Sequence, residues 1–243
     1  TDGGISIASS ILAERFIPIS QITGLGNGNQ FYTIYRDAKA RLWLGGSNGL
    51  IQSDAHLGAG ASSKWYRVGS DVFPLRHNHI RSIYQDRDKK LWIATDGGIM
   101  QLDESSGQWR HYNLVDRSHS FNANWAYDLF EDAKGRLWVA TCMGGILVVD
   151  KHKLERSSSI CEADYSLNRS NGLAGMYIGQ IAPDRAGNAW ALLYNNGIGV
   201  QKIDMRTMKV STLSALNSYH IGQNSRLLVD GEGHIWIAYP GGV

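Results

Sequence analysis

The chain has 243 residues, with 24 Lys and Arg against 22 Asp and Glu, and a formal charge of +2. That near balance, with no long basic run, speaks against a sequence-independent grip on nucleic-acid phosphates. The uncharged, apolar-rich stretch Leu137 to Val149 contains Gly144 and Gly145 and is too short to span a bilayer.

The composition, with 28 Gly, 8 Trp and 11 Tyr beside only 4 Pro, suits many short strands joined by tight turns. Taken in chain order, Thr1-Asp2-Gly3-Gly4-Ile5 matches Thr95-Asp96-Gly97-Gly98-Ile99, so residues 1–22 read as a half blade carrying third and fourth strands. The same opening does not resemble a signal peptide. Gly24-Leu-Gly26-Asn-Gly28 leads into a strand and reads as a blade connection, not as a dinucleotide loop.

From there the chain repeats. Asp37-Ala-Lys-Ala-Arg-Leu-Trp43, Asp86-Arg-Asp-Lys-Lys-Leu-Trp92, Asp132-Ala-Lys-Gly-Arg-Leu-Trp138, Asp184-Arg-Ala-Gly-Asn-Ala-Trp190 and Asp230-Gly-Glu-Gly-His-Ile-Trp236 align without gaps. The steps from Trp to Trp are 49, 46, 52 and 46 residues, the period of a four-stranded propeller blade. Within each unit an apolar strand such as Ile80-Arg-Ser-Ile-Tyr84 precedes the Asp. The Asp opens a polar turn, and its carboxylate suits backbone N–H groups two residues on. The Trp strand follows, then a Gly turn such as Gly97-Gly98, a third strand ending near Asp103, and a fourth around Trp109 to Tyr112. One such unit cannot bury both faces, whereas radial stacking does.

The expectation is therefore an all-β propeller with about five blades' worth of chain. Blades span 23–70, 71–116, 117–165 and 166–214, and 215–243 forms a closing half blade with first and second strands. Two closures stay open: a five-bladed ring made by exchange between the ends, or an arc of a larger, seven-bladed propeller, which we favour. The repeated Asp residues read as turn anchors and the repeated Trp residues as inter-blade core.

Residues 80–103 carry Ile80, Ile83, Asp86, Leu91-Trp-Ile-Ala-Thr95, Gly97-Gly98-Ile99 and Asp103, and residues 126–150 repeat most of that set. This unit resembles the two-component regulator propeller repeat. The unit at 178–204 departs from it, with Pro183 before its Asp and Ala189 before its Trp. The resemblance implies the extracytoplasmic, periplasmic sensor region of a hybrid two-component histidine kinase and response regulator. It implies phosphorelay signalling to glycan-use genes, and oligosaccharides as ligands. Other blades or domains of the parent receptor would be partners, with a homodimer as one option. No cofactor, nucleic-acid contact or membrane insertion is expected of this segment, and no kinase module is part of it.

Variable loops on a rigid scaffold are where binding concentrates. Seven positions before the repeat Asp stand Gln30, His79, Trp125, Tyr177 and Gln223; one position earlier stand Asn29, Asn78, Asn124, Met176 and Gly222. Amides and rings converging on an axial funnel suit a sugar, because rings cover C–H faces and amides bond hydroxyls. The expected ligand set is Asn78, His79, Asn124, Trp125, Tyr177, Tyr194, Asn195 and Gln223. No catalytic set is expected. His77-Asn78-His79 lacks a third ligand at a recognisable spacing, so no metal is expected either. The competing readings are a lyase of the streptogramin lyase type and a protein-interaction scaffold. Cys142 and Cys161 are expected as free thiols, separated by a strand.

Overall fold

The computed structural model of the chain describes residues 4–10, 13–18, 30–54, 63–69, 75–116, 123–157, 159–194, 199–213, 221, 225–239 and 242. Strands β1 (Gly4–Ser10) and β2 (Ala13–Pro18) pair antiparallel. The first full blade follows, with β3 (Phe31–Arg36), β4 (Leu42–Gly46), β5 (Gly49–Ser53) and β6 (Ser63–Tyr66) in that spatial order. The second has β7 (Ile80–Gln85), β8 (Leu91–Thr95), β9 (Gly98–Asp103) and β10 (Gln108–Val115). The third has β11 (Ala126–Glu131), β12 (Arg136–Thr141) and β13 (Ile146–Asp150). Its outer strand comes only after helix α1 (Lys151–Arg156) and strand β14 (Ile160–Glu162), as β15 (Tyr165–Leu167). The fourth has β16 (Ile178–Pro183), β17 (Asn188–Leu193), β18 (Val200–Asp204) and β19 (Val210–Thr212), and β20 (Arg226–Val229) pairs with β21 (Ile235–Ala238). The inner strands β3, β7, β11, β16 and β20 contact one another in chain order, as the spokes of a propeller do.

The sequence repeat is the anchor of every blade. In all five units the Trp indole N–H donates to the Asp Oδ2, at 2.8 Å (Trp43–Asp37), 2.9 Å (Trp92–Asp86), 2.9 Å (Trp138–Asp132), 2.9 Å (Trp190–Asp184) and 2.8 Å (Trp236–Asp230). The other carboxylate oxygen accepts the backbone N–H four residues on, from Arg41, Lys90, Arg136, Asn188 and His234. The turn so closed places its fourth residue at positive φ. Gly135, Gly187 and Gly233 take that position freely, whereas Ala40 (φ 61°) and Lys89 (φ 66°) hold it against their Cβ.

Each Trp packs into the next blade. Trp43 lies with Ile83 and Ile93, Trp92 with Leu129 and Val139, Trp138 with Ile181 and Ala191, and Trp190 with Leu227 and Ile237. The aliphatic residue three before the repeat Asp faces the preceding blade, and Ile83, Leu129, Ile181 and Leu227 are buried there. At the ends of the arc the same positions are open: Ile34 is 53% exposed and Trp236 is 50% exposed.

Two features depart from the four-stranded plan. β14 pairs parallel with β10 and so becomes a fifth strand of the second blade. Cys161 lies on this lash and not beside the fourth strand of its own blade. Both cysteines are free and buried. Helix α1, capped by Asp150 accepting from the His152 and Lys153 amides, brings Lys151 to the seam between the second and third blades. The buried ammonium lies 2.7 Å from Asp88, 2.8 Å from Glu131 and 3.2 Å from Asp86. Burial alone would favour its neutral form, but the three carboxylates outweigh that and raise its pKa.

Asp132→Ala leaves a buried indole N–H and a turn amide without their acceptor, so chemical denaturation should show a loss of about 3 kcal/mol or more. Asp230→Ala, on the exposed terminal pair, should cost visibly less, because water can replace the carboxylate. Ala40→Gly should instead raise stability by roughly 0.5–1 kcal/mol by relieving the positive φ.

Candidate functional site

The inner strands surround an axial cavity of about 460 Å³, lined from all five units by Gln30, Tyr32, Thr33, Arg81, Ser82, Tyr127, Asp128, Gly179, Gln180, Tyr194 and Arg226. Most of these are consecutive pairs, although neighbours on a regular strand point to opposite faces. A bulge explains it. The pairing register slips at Tyr32, Arg81, Tyr127 and Gly179, always five positions before the repeat Asp. The extra residue turns toward the axis with the residue after it.

The wall is a run of stacked side chains. The Arg81 guanidinium sits 5.0 Å from the Tyr32 ring centre and 5.1 Å from that of Tyr127, within cation–π range. Tyr127 in turn lies 6.2 Å from Tyr194. Gly179 makes room for this last ring, since a Cβ there would overlap Tyr194. Arg81 is held by a bidentate pair with Asp96, both bonds 2.6 Å, and Asp96 also accepts from His79 Nδ1 at 2.9 Å. Burial works against ionisation of Asp96, yet Arg81 and His79 hold its carboxyl below the usual range.

Asp128 is the acidic group of the cavity. Its oxygens accept from Ser82 Oγ of the second blade (2.6 Å), from the Ile181 amide of the fourth (3.0 Å) and from the Leu129 amide (2.9 Å). Desolvation dominates these bonds and pushes its pKa up to about 6. One blade on, Gln180 accepts from the Leu227 amide at 2.9 Å in the same manner. Burial also raises the Tyr127 and Tyr194 phenols, so both are neutral donors.

Of the ligand residues expected from sequence, Tyr194 lines this cavity. His79 stands behind it, on Asp96. Asn78 and Asn124 lie at the blade seams, where their side-chain oxygens accept from the Val68 and Leu114 amides of the preceding blade at 2.8 and 2.9 Å. Trp125 is half exposed, with its carbonyl accepting from the Cys142 amide, and Tyr177 is partly buried, with its carbonyl accepting from the Tyr194 amide. Asn195 and Gln223 lie outside the described residues. Sequence reasoning missed Tyr32, Arg81, Tyr127, Asp128 and Arg226. Aligning the units at four and five positions before the repeat Asp, instead of seven and eight, would have found them. Among the described residues no group of three or more His, Cys, Asp or Glu is placed to hold a metal ion, and no helix is long and apolar enough to cross a membrane.

Residues 74–97 and 120–142 match the family model described as two component regulator propeller. The extracellular domain of the putative hybrid two component system BT4673 from B. thetaiotaomicron is 48% identical to this chain, with a TM-score of 0.83. That likeness covers 93% of this chain and 30% of the solved domain, so the chain spans under a third of that relative's length. The corresponding domain of BT3049 from the same organism, 19% identical with a TM-score of 0.66, covers 91% of this chain and 28% of its own. Virginiamycin B lyase from Staphylococcus aureus, 13% identical with a TM-score of 0.62, covers 89% of this chain and 65% of its own. At such identities these last two share the fold alone. No curated protein sequence matches the chain.

Because its folded pKa lies above that of an unfolded aspartate, ionised Asp128 disfavours the folded state. That penalty is absent at acid pH, grows from about pH 4 to about 6, and stays above it. Asp128→Asn removes the titration while keeping an acceptor for the Ile181 amide. Thermal melts should therefore show the variant gaining on the wild type from pH 4.5 to pH 7.5; an unchanged difference between the two would count against a perturbed Asp128.

Proposed function

We propose that this chain, built from two-component regulator propeller repeats, is the ligand-sensing propeller of a periplasmic receptor, and that it takes an oligosaccharide in its axial cavity. The observation that carries the reading is the composition of that cavity. Three tyrosine rings and an arginine form one wall, with amides, hydroxyls and a carboxylate beside them, and every blade contributes. Rings offer faces for sugar C–H surfaces, while Gln30, Ser82, Thr33 and the phenols offer hydroxyl partners. The size falls within the range of small-ligand pockets. The likeness to the extracellular domain of the putative hybrid two component system BT4673 supports a receptor role. In such a receptor the propeller would pass occupancy to a histidine kinase elsewhere in the parent chain, and from there to genes for glycan use.

Thermal stabilisation across a panel of defined oligosaccharides tests this. One glycan class should raise the melting temperature in a dose-dependent way, and Tyr127→Ala or Tyr194→Ala should weaken that response at least tenfold in apparent Kd, corresponding to about 1.4 kcal/mol. If glycans stabilise the chain equally in wild type and both variants, the axial cavity is not the site.

A further inference from the structure

The charges of the axial cavity are not equally available. Arg81 is neutralised by its bidentate bonds to Asp96 and flanked on both sides by rings. Asp128 already spends three of its roughly four acceptor positions on Ser82 and two backbone amides. The cation that remains is Arg226, at the start of β20. Its Nη1 donates to the carbonyl of its own neighbour, Ser225, at 2.9 Å, and among the described residues it has no ion pair. Its side chain is exposed and lines the same cavity as the Tyr194 ring, with which it interacts electrostatically.

A planar guanidinium with donors to spare, beside an aromatic platform, is suited to a carboxylate or sulfate held in two parallel bonds. Building on the oligosaccharide reading, we infer that the axial cavity selects an acidic saccharide, a sugar chain bearing a carboxylate or sulfate group, with Arg226 binding the anionic group and Tyr194 the adjoining ring.

The test is isothermal titration of the chain with trigalacturonate and sulfated trisaccharides, set against the neutral galactotriose, for wild type, Arg226→Gln and Arg226→Lys. Arg226 is exposed, so the unliganded melting temperatures should match. The expected result is a preference of about tenfold or more for an acidic probe, weakened by added salt, lost in Arg226→Gln and partly kept in Arg226→Lys. Binding of the neutral sugar should weaken far less than binding of the acidic probe in both variants. Which acidic probe binds separates carboxylate from sulfate. If galactotriose binds as tightly as every acidic probe, or the preference survives Arg226→Gln, the acidic selection is wrong and the axial saccharide site stands. If no saccharide of either kind binds, both readings fall together.

Discussion

The structure depends first on one hydrogen bond, from a tryptophan indole N–H to an aspartate six residues before it. A Trp buried between blades needs an acceptor for its only polar atom, and the turn that returns the chain to its strand needs acceptors for its amides. One carboxylate meets both needs, with one oxygen on the indole and the other on the turn. The Asp–Trp pair thus sets the turn, the strand register and the inter-blade core together. Five copies keep the same geometry to within 0.1 Å, although the residues between Asp and Trp differ in every copy. Burial opposes the charge on Asp37, Asp132 and Asp184, and the indole and turn amides more than restore it, helped by the Arg41 and Arg136 guanidiniums in the first two and by the Asn188 side chain in the third.

Because each Trp is covered by the next blade and each inner-strand aliphatic by the one before, no blade is complete alone. Stability in such an array is a sum of neighbour terms. The interior seams carry extra ties. Gln85 accepts from the Ala38 amide and Glu131 from the Arg87 amide, both from the turn of the preceding blade. Pro183 stands at the equivalent place one blade on, where no such side-chain acceptor exists; that seam is tied instead by the Ile181 amide to Asp128 nearer the axis and by Arg136 to the Met205 carbonyl, and Gln180 makes the axial bond to Leu227 at the following seam. The second seam is strengthened further by Lys151 and by the β14 lash. Ile34 and Trp236, at the equivalent positions of the first and last units, are exposed.

The parts legible in the sequence are those that repetition superposes. Asp37, Asp86, Asp132, Asp184 and Asp230, their tryptophans, and the Gly turns at Gly49 and Gly98 stand in one phase, with the turn glycine Gly145 one position later, and comparing units isolates them. The axial wall was less legible, because strict alternation fails at a bulge. Arg81 and Ser82 both line the cavity, where a regular strand would have shown one of them. Asn78 and Asn124 attracted attention as polar strand ends, yet a backbone amide uses each side-chain oxygen. The insertion at 151–162 escaped notice for another reason. A six-residue helix carries too little periodicity to register, and β14 pairs with a strand about one repeat upstream, which no local pattern encodes.

The bulge also ties the cavity to the scaffold. Asp128 belongs to the third blade but bonds Ser82 of the second and the Ile181 amide of the fourth, so its position reports the spacing of three blades. Arg81 likewise stands between a ring of the first blade and a ring of the third. A molecule lodged among these groups cannot move one without loading the bonds that hold neighbouring blades in place. A binding event changes an equilibrium only through contacts that differ between its two states. On the proposed reading, a ligand in this cavity would lie against groups such as Arg81 and Asp128, whose contacts set how the blades lie against each other. On that reading, the axial position would therefore give occupancy a physical route to blade geometry, which a site on one exposed loop would lack.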